Sequence, residues 1–176
     1  MKYKLLVIAL LPFSVFASNT ITFLGEVSDA TCDITVDGTK GDISVQLPTV
    51  LAKDLASKGA TTGETPFSFA VSGCSAVTQT SVGIRLIPTS TTNSGNLTNI
   101  SGATTASENV SVQVLDNATG TPVAIDFTKG EYSSALKTFP TADNSVQFPF
   151  VARYYADDVA KVGKVESKLQ YALTYK

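Results

Sequence analysis

Nine short runs limit what this chain can fold into: TITFLGEV, CDITV, DISVQL, FSFAVSG, SVGIRLI, NVSVQVLD, PVAIDF, SVQFPFVARYYA and KLQYALTYK. They are rich in Val, Ile, Phe, Tyr and Thr, and Gly, Asn, Asp, Pro or Ser separates them. Most alternate apolar with polar residues. A period of two puts every second side chain on one face, so each run reads as a strand with one side for a core. The spacing predicts an all-β fold, an antiparallel β-sandwich. One or two helical turns are expected in TVLAKDLASKG, where Leu51 and Leu55 are four apart and Gly59 ends the pattern. The Ser/Thr-rich stretch 88–107 predicts an exposed excursion around a short strand near Leu97.

The last run poses a question. Leu169, Tyr171, Leu173 and Tyr175 share one face, and no later run follows to pair with them. Such a strand either lies inside a sheet or borders a place for a partner.

The first residues read differently. Lys2 and Lys4 precede the apolar run LLVIALLPFSVFA, and Val15 and Ala17 have the small-residue spacing of a signal-peptidase site. Residues 1–17 are expected to be a signal peptide, cleaved before Ser18. The run is too short, and too broken by Pro12, for a membrane span. Residues 18–176 then form one exported domain. Without Lys2 and Lys4 the chain carries 11 basic and 15 acidic residues, a net charge of −4, which argues against a nucleic-acid partner. Cys32 and Cys74 are the only cysteines. In an oxidising compartment such a pair reads first as a disulfide, here worth roughly 4 kcal/mol by loop entropy; two free thiols are the alternative.

There is no histidine. That removes Ser-His-Asp and Cys-His catalysis and the commonest zinc and copper sites, so no enzyme, metal or cofactor is expected. Asp157 and Asp158 are adjacent and read as a solvated turn rather than a catalytic pair. Four Asn-x-Ser/Thr sequons begin at Asn96, Asn99, Asn109 and Asn117. They mark either glycosylation or the chance yield of Ser/Thr-rich loops; the second reading is adopted.

Five stretches in order behind the signal carry a resemblance. TITFLGEVSDATCDI has a Phe-x-Gly-x-Val and a following Cys; LPTVLAKDLASKGATTGETPFSFAVSGC leads to the second Cys; VSVQVLDNATGTPVAI resembles a central strand and its turn. FVARYYADDVAKVGKVESKLQYALTYK carries Gly163, fourteenth from the end, and the penultimate Tyr175. Together they resemble a fimbrial subunit of the chaperone–usher pathway, in the type 1 pilin-like group. VGIRLIPT departs from the family by lacking a Phe-x-Gly, and Lys164 and Glu166 stand where small residues are common.

The resemblance implies an incomplete immunoglobulin-like sandwich that lacks its final strand and is completed by a donor strand from a neighbouring subunit. It divides the chain into the signal 1–17, a donor extension 18–29 and a pilin domain 30–176. Ile21, Phe23, Gly25 and Val27 would form the donor face, with Gly25 leaving room where the recipient is already filled. On residues alone, 20–27 reads first as an ordinary first strand of its own sheet. Gly163, Leu169, Tyr171, Leu173, Tyr175 and Lys176 would form the recipient groove and the edge that a periplasmic chaperone pairs with, and the Lys176 carboxylate would meet basic residues of that chaperone. The implied partners are identical or homologous subunits, the chaperone and an outer-membrane usher. The implied place is the fimbria on the cell surface, where the function is adhesion. The alternatives are a minor or tip-proximal subunit that itself binds a host receptor or glycan, and an unrelated secreted immunoglobulin-like glycoprotein.

Overall fold

The computed structural model describes residues 31–75, 80–102, 104–138 and 145–176. The expected signal and the donor extension lie outside them. Ten strands form two sheets, all pairings antiparallel: β1 Thr31–Val36, β2 Thr61–Ser75, β3 Ser81–Pro88, β4 Leu97–Thr98, β5 Val110–Asp116, β6 Val123–Ala124, β7 Tyr132–Ser133, β8 Lys137–Thr138, β9 Ser145–Ala156 and β10 Leu169–Tyr175. One sheet runs β1-β2-β9-β5-β4, with β6 on β5; the other runs β10-β3-β7, with β8 on β3.

The alternating runs place the core. Phe67, Phe69 and Val71 of β2, Val82, Ile84 and Leu86 of β3, Val112 and Val114 of β5, and Phe148 and Phe150 of β9 bury one face each against the opposite sheet. Phe150 stacks on Phe67 at 5.7 Å and meets Phe69 edge-on at 5.6 Å. Tyr132 of one sheet donates its hydroxyl hydrogen to Asp116 of the other. Burial first, then that bond and the Asp116 charge, push the Tyr132 hydroxyl far above the ordinary tyrosine range.

The expected helix of one or two turns is present as a single 3-10 turn, Ala52–Leu55, in which Leu55 is buried. Three strand expectations need correction. DISVQL alternates half-buried with exposed residues, but among the described residues it joins no ladder. FSFAVSG is the middle of a strand that starts at Thr61. Gly63, at φ +73, takes up a register shift between Thr62 and Thr65. Pro66 is tolerated because its nitrogen points, like the Ser68 amide, to the side that β1 no longer reaches. PVAIDF pairs only at Val123–Ala124. Asp126 then caps the turn Phe127–Lys129, and this drops Ile125 and Phe127 into the core. The short strand near Leu97 is present as β4, with Leu97 opposite Val112, but the excursion is not exposed throughout, since Asn96 and Leu97 are buried.

Candidate functional site

β10 is the edge strand of its sheet. Seven residue pairs, from Leu169 with Pro88 to Tyr175 with Val82, join it to β3, and among the described residues no strand lies on its other side. Leu169, Tyr171, Leu173 and Tyr175 all pack on the main core, yet each is only half-buried.

A second half-covered row packs on the same core. Gly41 follows a two-residue turn, Asp37-Gly38, with φ of 47° and 82°, closed by Val36 and Thr39 exchanging both backbone hydrogen bonds. In segment 42–50, Ile43, Val45 and Leu47 are half-buried on the same core and Asp42, Ser44 and Gln46 are exposed, the alternation of a strand. The Tyr171 hydroxyl donates to the Gly41 carbonyl at 2.7 Å, and the Tyr171 ring meets Phe69 at 5.2 Å. At the far end a hollow of about 390 Å³ opens between residues 46–50 and 163–165, floored by Leu55, Val110 and Tyr154. Burial raises the hydroxyl pKa of Tyr154.

The other end of β10 is tied down. Cys32 and Cys74 form a disulfide that staples β1 to β2 where their register shifts. Tyr175 receives a backbone hydrogen bond from Cys32, which lowers its hydroxyl pKa, while burial, the larger effect, raises it. The Lys176 carbonyl accepts from the amides of Thr80 and Ser81, at 2.8 and 2.9 Å.

Gly163 stands off β10. A Cβ there would meet the 105–107 backbone at 2.3–2.5 Å. Lys164 exchanges hydrogen bonds with Thr105 and Ser107, so the glycine permits a close backbone approach beside the hollow. Ile21, Phe23, Gly25 and Val27 lie outside the described residues. The reading of the residues did not place Ile43, Val45 and Leu47 at the site; their alternation was visible, but it read as an ordinary paired strand.

Three of the sequon asparagines are engaged internally. Asn96 is 1% exposed; Asn99 Nδ2 donates to the Ser107 and Lys164 carbonyls, and Asn109 Nδ2 to the Val159 carbonyl. Asp158 is exposed, but Asp157 is half-buried with a buried Oδ1, so only one of the pair is a solvated turn residue. Among the described residues no group of three His, Cys, Asp or Glu is placed to hold a metal ion.

A family model described as "Fimbrial protein" matches residues 21–176. The chain is 36% identical to the F17 fimbrial protein of Escherichia coli over 160 residues, 88% of this chain and 86% of that one. It is 38% identical to the major fimbrial subunit SMF-1 of Stenotrophomonas maltophilia over 163 residues, 90% of this chain and 93% of that one. Among solved structures, a chaperone–usher pilus superposes with a TM-score of 0.59 at 17% identity, over 94% of this chain and 100% of that chain. The P pilus rod subunit PapA gives 0.58 at 16%, over 82% and 99%. At these identities the likeness is one of fold, the immunoglobulin-like sandwich.

Proposed function

We propose, because the chain belongs to the fimbrial protein family, that it is the structural subunit of an adhesive bacterial surface fimbria and polymerises by donor-strand exchange. One observation carries the mechanism: among the described residues β10 has an open edge, its apolar row is only half-buried on the main core, and the likewise half-buried Ile43, Val45 and Leu47 on that core belong to no ladder. An edge of this kind is a liability in a monomer and a socket in an assembling chain. Chaperone–pilin complementation is a known instance of such strand addition.

The plug is the extension 18–29 of a neighbouring copy or homologous subunit, freed when the signal 1–17 is removed; the socket is the domain 30–176. Laid antiparallel to β10, the donor brings Ile21 towards Tyr175 and Val27 towards the hollow at Val165. Phe23 and Gly25 fall between them. Burying Ile21, Phe23 and Val27 contributes roughly 5–9 kcal/mol before backbone hydrogen bonds. A periplasmic chaperone covers the same edge before assembly, its basic residues meeting the Lys176 carboxylate, and an outer-membrane usher takes over the subunit. The role is structural, not enzymatic, and needs no cofactor.

The test is to delete 18–29 and append a flexible linker and TITFLGEV after Lys176. The tethered strand acts at high effective concentration. The product is expected to be a soluble monomer that melts well above the deleted chain and does not polymerise. Equal melting temperatures with and without the appended strand reject the reading.

A further inference from the structure

The hollow of about 390 Å³ between residues 46–50 and 163–165 is too large for the donor residue brought to it. Liquid water takes about 30 Å³ per molecule. At that allowance for every non-hydrogen atom, a whole valine residue, backbone included, fills only about half of the hollow. The chain's own Val27 therefore leaves space there. Unfilled space against apolar side chains is unfavourable in proportion to its volume.

The lining says what kind of side chain would fill that space. Leu55 and Val110 are buried in a small core cluster of their own, and Val50, Ala160 and Val165 pack half-buried against it. Val162 lines the same hollow and is 88% exposed, so a large apolar side chain entering here would gain contact with it. Two lysines also stand on the lining. Lys161 is paired with Glu108 at 2.6 Å, and Lys164 is exposed. A carboxylate reaching for Lys164 would be desolvated over apolar side chains. That costs more than an ion pair with an exposed lysine returns. A basic residue would meet like charge. Size and apolar character are therefore what the hollow rewards.

Granted strand exchange, on which this rests, we propose that the hollow selects the neighbouring subunit by the size of the apolar side chain delivered to it. An extension with Leu or Phe in place of Val27 is bound more tightly than the chain's own. A homologous subunit carrying such a residue is then preferred over an identical copy. Ala160 and Val162 are the residues of the recipient that set this preference, the first by leaving room and the second by covering what enters.

Thermal melting of the strand-appended chain tests it, with Ala, Val, Leu, Phe or Glu at the place of Val27 in the appended copy. Leu should melt about 2–4 °C above Val and Phe at least as high as Leu, with Ala and Glu below Val. Ala160→Leu fills the hollow from the recipient's side and should erase the advantage of Phe over Val. If Ala160→Leu does not fold, Val162→Ser decides, because that side chain is exposed, and it should reduce the same advantage. Val equal to or above both Leu and Phe, Glu above Val, or an advantage of Phe that the folded recipient variant leaves whole overturns the size selection while strand exchange stands. No rise of the Val strand over the deleted chain overturns both.

Discussion

The Tyr171 hydroxyl donates to the Gly41 carbonyl across 2.7 Å, and this bond joins β10 to the residue from which the unpaired segment 42–50 departs. Segment 42–50 is therefore fastened to β10 where it begins, and the hollow beside Val165 lies at its other end.

Tyr171→Phe keeps the ring contact with Phe69 and removes only that bond. The variant should lose about 0.5–1.5 kcal/mol. Chemical denaturation of the strand-appended monomer measures this; a loss several times larger would show that the hydroxyl does more than fasten segment 42–50 to β10.

Cys74→Ser removes the staple between β1 and β2 at the strand whose Cys32 amide reaches Tyr175. A cost of about 2–5 kcal/mol is expected, seen as a sharp drop in periplasmic yield. Thiol labelling of the denatured wild-type chain should find no reactive cysteine.

Gly25→Leu tests the donor role. Residues 31–176 are unchanged, so chaperone binding should persist. Fibre growth should slow or stop, because a larger side chain overfills the recipient. Electron microscopy of normal fibres from this mutant would count against strand exchange through Gly25.

Gly163→Ala places a Cβ within 2.3–2.5 Å of the 105–107 backbone, where no side chain can move aside. Residues 105–107 and 163–164 must part, straining their shared hydrogen bonds. A loss of about 1–3 kcal/mol is expected, together with faster amide exchange at Lys164 and Ser107.

Tyr132 gives an alkaline limit. Its folded-state pKa is raised, so the neutral hydroxyl is favoured by the fold. That stabilisation is complete below the ordinary tyrosine value of about 10 and is lost as pH rises from there towards the folded value. Denaturation midpoints should fall as pH rises above about 10. Tyr132→Phe should reduce that slope without abolishing it, since Tyr154 and Tyr175 are also shifted upwards.

The alternation of KLQYALTYK by itself determined that Leu169, Tyr171, Leu173 and Tyr175 share a core-facing side, because a strand's period is a property of the backbone. The cysteine pair and the lack of histidine likewise followed from residue identity. Pairing did not. DISVQL and CDITV look alike as sequences, yet only CDITV has a neighbour among the described residues. Asn96, Asn99 and Asn109 read as loop sequons, yet their amides are buried or bonded to the backbone. Gly163 and Asp157 owe their surroundings to residues 105–109, some 50 positions away. Local pattern fixes which side of a strand is apolar. Which strand, if any, lies alongside it depends on distant segments competing for the same backbone groups, and only the tertiary structure decides that competition.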